Sequence, residues 1–430
     1  MTLPENHALR QTLHNEVHAR PPIPLRGPCR LSYLALMSGQ ENIEPERAHV
    51  RALCQRYGFP GPTPEDNHFQ GDLGPFRLKW ERHTEFTRYK FIADGANPER
   101  PFDDPAIGLV PADWIKELKG QVFVSTNIAL LKFTETPDYG AISRRDFSGN
   151  TLIGSAVGEG VALALSDLRI HEDGFSRLLI FDKQMTQRQA GRMVQRLVEI
   201  ETYRILALLA LPVARALSPF LAASERELAE ITTLMKGGPR DDPALLDRLT
   251  QLQAAIESRY ADNHYRFSAA DAYYALVQRR IEELREERVP GLQTFNEFME
   301  RRLAPAMSTC QTVSVGIETL SERVARSTNL LSTRVGMVRE RQNQTLLEAM
   351  ARRAELQLRL QQTVEGLSVA AISYYLVGLV GYAAKALKAS GLPIDPDVTM
   401  GLALPFIVGL AAFGIRNIRK HLERDNGGDL

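Results

Sequence analysis

The sequence has little cysteine and no arrangement of it that would hold a structural metal. Its 430 residues include three cysteines, which are far apart at Cys29, Cys54 and Cys310. Neither a disulfide framework nor a zinc site with closely paired ligands fits that spacing. We expect all three to be reduced cytosolic thiols.

The chain also lacks an excess of charge, because 52 basic residues balance 52 acidic ones. A nucleic-acid-binding domain normally carries a basic excess, so no nucleic-acid partner is expected. The N-terminal stretch "MTLPENHALRQTLHNEVHARPP" has no apolar core and does not predict a secretory signal. The residues before the C-terminal apolar runs are therefore predicted to stay in the cytoplasm.

Motifs for common enzymatic chemistries are missing as well. "GSAVGEG" (154–160) lacks the Gly-Lys-Ser/Thr ending of a P-loop, and the strand-like stretch after it favours a hairpin turn. No Gly-x-Ser-x-Gly elbow and no His-Glu-x-x-His motif occurs. We therefore predict a protein that is not an enzyme.

Two long apolar runs near the C-terminus are the strongest feature present. "GLSVAAISYYLVGLVGYAA" (366–384) and "VTMGLALPFIVGLAAFGI" (398–415) carry no charge, as expected of helices that cross a bilayer. Arginines precede the first run and follow the second, so the positive-inside rule places both termini in the cytoplasm. A shorter run, "ILALLALPVARAL" (205–217), contains Pro212 and Arg215 and predicts a buried helix of the soluble part.

Strand-like segments rich in β-branched and aromatic residues fill most of 28–182, with two short helical stretches between them. This order predicts an α+β domain with a mixed or antiparallel sheet. From about residue 185 the periodicity becomes helical. The predicted organisation is a cytosolic α+β domain (1–184), a helical region (185–304), a long stalk helix (305–365), a transmembrane helix (366–384), a periplasmic loop (385–397), a second transmembrane helix (398–415) and a basic cytoplasmic tail (416–430).

The stalk carries apolar residues at alternating spacings of three and four, which is the pattern of a coiled-coil seam. Its members are Cys310, Val313, Ile317, Leu320, Val324, Ser327 and Leu331. A helix this long is rarely alone, and packs along copies of itself or against the preceding helices. We expect self-association as well as contact with the lipid bilayer.

Two motifs place a histidine two residues after a glutamate. In "WERHTEF" (80–86) an extended backbone puts Glu81, His83 and Glu85 on one face. "NEVHARP" (15–21) carries Glu16 and His18 in the same way. These five residues, with His14 nearby, are candidate ligands of a divalent metal ion. They would also suit an acid/base pair.

A third alternative for these motifs is a buried ion-pair network in which Arg20 and Arg82 neutralise the carboxylates. We favour this structural interpretation, because metal-binding motifs usually have a sharper spacing.

The first apolar run also contains polar residues that would suit a pore. The candidate lining residues are Glu365, Ser368, Ser373 and Tyr375. Copies of Glu365 would form an acidic ring that attracts cations. The alternative is that these residues are helix-end and interfacial anchors.

Four motifs resemble a bacterial family of uncharacterised membrane-anchored proteins, domain-of-unknown-function family 3422. They are "NEVHARP" (15–21), "WERHTEF" (80–86), "DGFSRLLIFD" (173–182) and "QAGRMVQRLVEIETYR" (189–204). The resemblance covers nearly the whole chain. It implies a multi-pass protein of the bacterial inner membrane and supplies no reaction.

The architecture also looks like that of CorA-type magnesium channels, which are pentamers with the first span lining the pore. The Gly-Met-Asn signature of those channels is missing from the equivalent stretch, "VGYAAKALKASG". The hypothesis is therefore a homo-oligomeric membrane protein, either a channel or transporter or a scaffold. The alternative is a membrane-tethered enzyme or metal sensor that uses the His/Glu faces.

Overall fold

The computed structural model describes residues 6–11, 13–14, 21–238, 241–390 and 393–425. The chain divides into two compact units, residues 1–328 and 329–430. The first unit contains the sheet and most of the helices. The second consists of the remainder of one long helix and a C-terminal helix.

An eight-stranded mixed sheet forms the centre of the first unit, in the order β2-β3-β4-β1-β5-β8-β7-β6. Strands β5 and β8 are parallel, and the other neighbours are antiparallel. The α+β prediction with a mixed sheet is confirmed. The strands are β1 (Cys29–Met37), β2 (His68–Asp72), β3 (Arg77–Arg82), β4 (Phe86–Asp94), β5 (Gln121–Lys132), β6 (Ile153–Val157), β7 (Ala162–Ser166) and β8 (Ser176–Asp182).

Helices follow the sheet, as the change of periodicity predicted. They are α1 (Ile43–Arg56), α2 (Ala112–Lys116), α3 (Tyr139–Asp146), α4 (Gln187–Leu208), α5 (Ala210–Leu234), α6 (Asp242–Leu284), α7 (Phe295–Arg302), α8 (Ala304–Ala389) and α9 (Pro396–Asp425). Thr186 begins α4 with a capping box, in which its side chain accepts from the Gln189 N–H.

Alternate residues of β1 enter different cores, as the two-residue period of a strand requires. Leu31, Tyr33 and Ala35 pack with α4 and α6 in the largest core. Leu34 and Leu36 pack on the other face with α1 and α2. Both faces of this strand are therefore covered, which explains its nearly continuous apolar sequence.

Among the residues that the structure describes, three helical segments are long and apolar enough to cross a membrane, judged by length and composition. They are Gln187–Gly237, Phe295–Ala389 and Pro396–Asn417. The first includes the run 205–217, for which we predicted a buried helix. One face of that run is buried in the largest core, through Leu206, Ala207, Ala210, Ala214 and Leu217.

Helix α8 continues without a break from Ala304 to Ala389, so the stalk and the first apolar run are one helix. In the first unit its predicted seam is buried, from Cys310 to Val324. Gly316 lies against Leu221 of α5, and Ser321 donates a hydrogen bond to Glu257 of α6. This half of the seam therefore packs on the preceding helices of its own chain.

Candidate functional site

The "WERHTEF" motif is a hairpin and not one continuous strand. Strand β3 ends at Arg82 and β4 begins at Phe86, so residues 83–85 form the turn. The expected shared face of Glu81, His83 and Glu85 is therefore broken at the turn. Within the hairpin, Glu81 lies directly opposite Arg88 in the antiparallel register.

A buried charge cluster surrounds Glu81. Its carboxylate accepts from Arg88 Nε at 2.7 Å, and lies 3.1 Å from Lys79 Nζ and 3.9 Å from Lys90 Nζ. The side chain of Glu81 is fully buried, and those of the three cations are 8% exposed or less. Lys79 Nζ also donates to the carbonyl oxygen of Pro21 at 2.6 Å.

Helices α4 and α6 complete this charge cluster. Glu199 of α4 accepts from Arg280 Nε of α6 at 2.6 Å and lies 3.4 Å from Arg88 Nη1. The Tyr33 hydroxyl of β1 lies 2.7 Å from the Thr202 hydroxyl, one turn further along α4. The cluster thus ties three strands to two helices through charged and hydroxyl groups.

Burial and charge act in opposite directions on these groups. Burial alone would raise the pKa of Glu81, but the charges of Arg88, Lys90 and Lys79 outweigh it and hold that pKa well below its usual range. Burial lowers the pKa of Lys90 to about 7, and the nearby Arg88 charge acts in the same direction. We therefore expect Lys90 to lose its proton near neutral pH.

The second carboxylate of the motif binds to a more N-terminal part of α6. Glu85 accepts from Arg266 Nη2 at 2.8 Å and from the Tyr273 hydroxyl at 2.7 Å, both on α6. His83 stacks on Phe86 with ring centroids 4.5 Å apart. The motif therefore connects the hairpin tip to α6, in keeping with the structural interpretation.

The predicted pairing of Arg82 with the carboxylates of this motif was wrong. Arg82 does not pair with Glu81 or Glu85 but donates to Glu46 of α1 at 2.7 Å, on the other face of the sheet. Alternation along β3 explains this, since Arg82 and Glu81 are neighbours and point to opposite faces. Glu46 also accepts from the Thr87 hydroxyl at 2.7 Å.

The proposed metal ligands are only partly within the described residues. Glu16 and His18 lie outside them, as does Arg20 of the alternative ion-pair network. In the part of the chain that the structure describes, no group of three or more His, Cys, Asp or Glu side chains could hold a metal ion. The described candidates Glu81 and Glu85 are instead both engaged by cations.

The four candidate pore residues lie on one helix but not on one side of it. Ser368 and Tyr375 are seven residues apart and share a face, whereas Ser373 is rotated from Ser368 by roughly 140°. Ser373 is 5% exposed and Tyr375 is 72% exposed. Glu365, at the start of the run, accepts from Gln361 at 3.4 Å. A single lining surface would therefore include Ser368 and Tyr375 but not Ser373.

A groove of about 660 Å³ opens elsewhere on the first unit, between the residues before β1 and the β2–β3 turn. Two of its charged residues are already paired with each other. Arg77 lies 3.6 Å from Asp94 and donates to the carbonyl oxygen of Pro24 at 3.1 Å. Arg77 and Asp94 are therefore engaged within the chain.

Sequence reasoning missed Lys79, Arg88, Lys90 and Glu199 as members of a buried cluster. A signal was present, because Lys79 and Glu81 alternate with the apolar residues of β3, and Arg88 and Lys90 do the same in β4. Charged residues at every second position of an otherwise apolar strand point to one face. Glu199, on α4, had no such signal.

These features define an α+β domain with a mixed sheet, braced by buried charges and followed by long apolar helices. The chain matches a family model described as "Protein of unknown function (DUF3422)" over residues 5–422, and it belongs to that family. The resemblance inferred from the four motifs is thereby confirmed, whereas the looser likeness to CorA-type channels has no support. No curated protein and no solved structure matches the chain.

Proposed function

We propose that this protein is a membrane-anchored scaffold that assembles through the part of α8 in the second unit. The observation that carries the proposal is a row of exposed apolar side chains on that helix. Its members are Leu346, Met350, Leu360, Val364 and Leu367, and each is between 57% and 74% exposed. We call this row the stalk seam.

The stalk seam has the spacing that a partner helix requires. Its positions follow each other at intervals of three and four, with the polar residues Arg353 and Gln357 completing the series. Burying one large apolar side chain contributes about 1.5–3 kcal/mol, so five of them would favour association strongly. Polar residues within a seam favour one register and one number of strands over others.

A second copy of the chain is the partner that presents the same seam. Closed symmetric assemblies are the usual form of soluble and membrane homo-oligomers. The apolar end of α8 offers small residues for close helix approach, and Gly381 lies against Met400 of α9. The apolar segments of α8 and α9 would anchor the assembly in the bacterial inner membrane, with both termini cytoplasmic.

Mass measurement in detergent or native nanodiscs tests the assembly, with a matched pair of leucine variants. Leu360→Glu places a charge in the stalk seam. Leu358→Glu places the same charge two residues away, on roughly the opposite side of the helix. We expect the wild type and Leu358→Glu to be oligomers of one mass, and Leu360→Glu to dissociate. A monomeric wild type, or equal masses for both variants, would show the proposal to be wrong.

An ion channel is the second candidate, favoured by the shared face of Ser368 and Tyr375. In a ring of copies that face would bring hydroxyl groups towards the axis, where they suit hydrated ions. Flux of magnesium, cobalt, sodium or potassium into proteoliposomes tests it. Absence of flux for an intact oligomer would remove the channel and leave the scaffold.

A further inference from the structure

The two edge strands of the sheet differ in their backbone partners. At the β6 edge, the Gly154 N–H bonds to the carbonyl oxygen of Gln293 at 2.8 Å. Ala156 exchanges backbone bonds with Glu287, at 3.1 Å and 2.8 Å. The chain therefore covers this edge with its own residues 285–293. At the opposite edge, no segment among the described residues pairs with the outer side of β2.

The hydrogen bonds at the two ends of the β2–β3 pair show which backbone groups of β2 point outwards. The Arg82 N–H bonds to the Asn67 carbonyl oxygen at 2.8 Å. At the other end, the Leu73 N–H bonds to the Phe76 carbonyl oxygen at 3.0 Å. Bonded and non-bonded pairs alternate in an antiparallel ladder, so the odd-numbered residues of β2 bond to β3. The residues whose N–H and C=O groups point away from the sheet, which we call the β2 edge, are His68, Gln70 and Asp72.

The β2 edge has none of the usual protection against pairing with another strand. Exposed edges are commonly blocked by lysine, proline or a β-bulge. The strand His68–Asp72 contains no lysine or proline, and its register with β3 has no shift. Gln70 and Asp72 are exposed, and His68 is partly exposed. Within the part of the chain that the structure describes, the backbone groups of the β2 edge have no hydrogen-bond partner.

The sequence of β2 is complementary to itself in an antiparallel arrangement. With Gln70 opposite Gln70 of a second copy, His68 lies opposite Asp72, and Phe69 lies opposite Gly71. An imidazole N–H can donate to a carboxylate in either protonation state of the ring, and side chains directly opposite are within reach. Gly71 has no side chain that would collide with Phe69. The same register brings the outward N–H and C=O groups of both copies into bonded pairs.

We propose that β2 pairs in antiparallel register with β2 of a second copy of this chain, about a two-fold axis at Gln70. The pairing joins the two sheets into one continuous sheet through up to about six backbone hydrogen bonds. The two-fold axis makes the His68–Asp72 pair occur twice. This interface lies in the first unit and is separate from assembly through the stalk seam, so either can be wrong without the other.

An extended segment of a different protein is the other kind of strand that an open edge accepts. Such a partner would not require β2 to match its own reversed sequence. The opposition of His68 to Asp72, together with the central position of Gln70, therefore favours a second copy.

Disulfide crosslinking of the full-length chain tests this register. Opposite residues in a bonded antiparallel pair have Cα atoms about 5.5 Å apart, which suits a disulfide. In Gln70→Cys, the introduced thiols of the two copies lie opposite each other at the axis. In His68→Cys or Asp72→Cys, the equivalent positions are four residues apart along the strand, or about 14 Å. These two variants are therefore matched controls within the same strand.

The three native cysteines can remain in the chain, because all of them are buried. Oxidation with copper phenanthroline is followed by non-reducing electrophoresis, and peptide mass spectrometry locates the bond. We expect Gln70→Cys to form a covalent dimer through position 70, at least about tenfold faster than His68→Cys or Asp72→Cys.

A second pair of variants tests the backbone bonds themselves. His68→Pro and His68→Ser are each combined with Gln70→Cys, and both remove the imidazole. Proline also removes the outward N–H, which an edge strand tolerates because that group makes no bond to β3. We expect equal melting temperatures, and crosslinking that is at least about tenfold slower with proline than with serine.

Three results would overturn the proposal. They are a folded Gln70→Cys that forms no dimer, equal crosslinking rates in the three single variants, and equal rates in the folded proline and serine variants. A disulfide from position 70 to a different protein would assign the β2 edge to a foreign strand and would also overturn pairing between copies.

Discussion

Glu81 and Arg88 face each other across the β3–β4 hairpin, with Arg88 Nε 2.7 Å from Glu81 Oε2. Both side chains are almost completely withdrawn from water, at 0% and 4% exposure. Withdrawing an ion from water is costly unless a partner and hydrogen bonds compensate for it. The hairpin therefore depends on both members of the pair, because removal of either one upsets the balance of buried charges in the cluster.

We predict that Glu81→Gln lowers the free energy of unfolding by about 3–5 kcal/mol, because the buried cations Lys79, Arg88 and Lys90 would lose the carboxylate that they share. Urea unfolding at pH 7, followed by circular dichroism, measures this change. The control is Glu322→Gln, which breaks the pair with Arg326 on α8. Both of those side chains are 64% exposed, and an exposed pair contributes about 0–1 kcal/mol. Equal losses of unfolding free energy in the two variants would contradict the stabilising role of the buried Glu81–Arg88 pair.

Lys90 is the member of the cluster whose charge is poorly compensated. Its pKa falls to about 7 in the folded protein, mainly because it is buried, against about 10.4 for an unperturbed lysine. Between these values the unfolded chain binds a proton that the folded chain does not. This site therefore makes stability rise with pH from about 7 to 10.

Lys90→Met should for that reason stabilise the protein, by about 1–4 kcal/mol at pH 7, and the gain should shrink towards pH 10. Chemical unfolding of the variant and the wild type at pH 7, 8.5 and 10 measures the difference in their free energies of unfolding. The contributions of the other titrating groups cancel in this difference. Lys116→Met, at an exposed position of α2, is the matched control and should change stability by less than about 0.5 kcal/mol. A Lys90→Met variant that is less stable at every pH would contradict the prediction.

Local pattern predicted the parts of the fold that depend on nearby residues. Segments rich in β-branched and aromatic residues indicated most of the strands, and the change to a period of 3.6 indicated the helices. The turn at residues 83–85 was not foreseen as a break in the shared face. The Arg88–Glu199 contact joins residues 111 positions apart, and the Arg82–Glu46 bond joins residues 36 apart. Such partners depend on tertiary packing, which sequence spacing does not encode.

The seam of α8 illustrates the same limit. Its spacing predicted a partner helix but not which one, since packing on the same chain and packing on a copy require the same pattern. From Cys310 to Val324 the partners are α5 and α6, whereas Leu346 and Leu360 remain exposed.

Gly191 of α4 lies where the chain before β1 crosses the helix. A Cβ atom at this position would meet the carbonyl oxygen of Ile23, and the neighbouring Leu25 N–H bonds to the Gln187 carbonyl oxygen at 3.0 Å. We predict that Gly191→Ala lowers the free energy of unfolding by about 1–3 kcal/mol through this overlap. Helix propensity alone would raise it by about 1 kcal/mol.

The comparison for this prediction is Gly336→Ala on α8, where an added Cβ meets no atom within 4 Å. It should be neutral or slightly stabilising, since only propensity changes. Thermal unfolding of both variants separates the two effects. A stabilised Gly191→Ala would mean that residues 23–25 do not pack on α4 as described.

Membrane topology can be tested with two single substitutions. Lys388→Cys lies between the two apolar segments, and Asp425→Cys lies at the end of α9. The native cysteines can remain, because all three are buried and burial raises the pKa of Cys29 to about 12 and that of Cys54 to about 11. We predict that a membrane-impermeant maleimide labels Lys388→Cys in intact cells, and labels Asp425→Cys only after permeabilisation. The physical reason is that arginines lie before the first apolar segment and after the second. Such residues favour the cytoplasmic side of the membrane, so both ends of the pair of segments are expected there. Labelling of Asp425→Cys from outside intact cells would contradict two spans, and the unmodified chain serves as the background control.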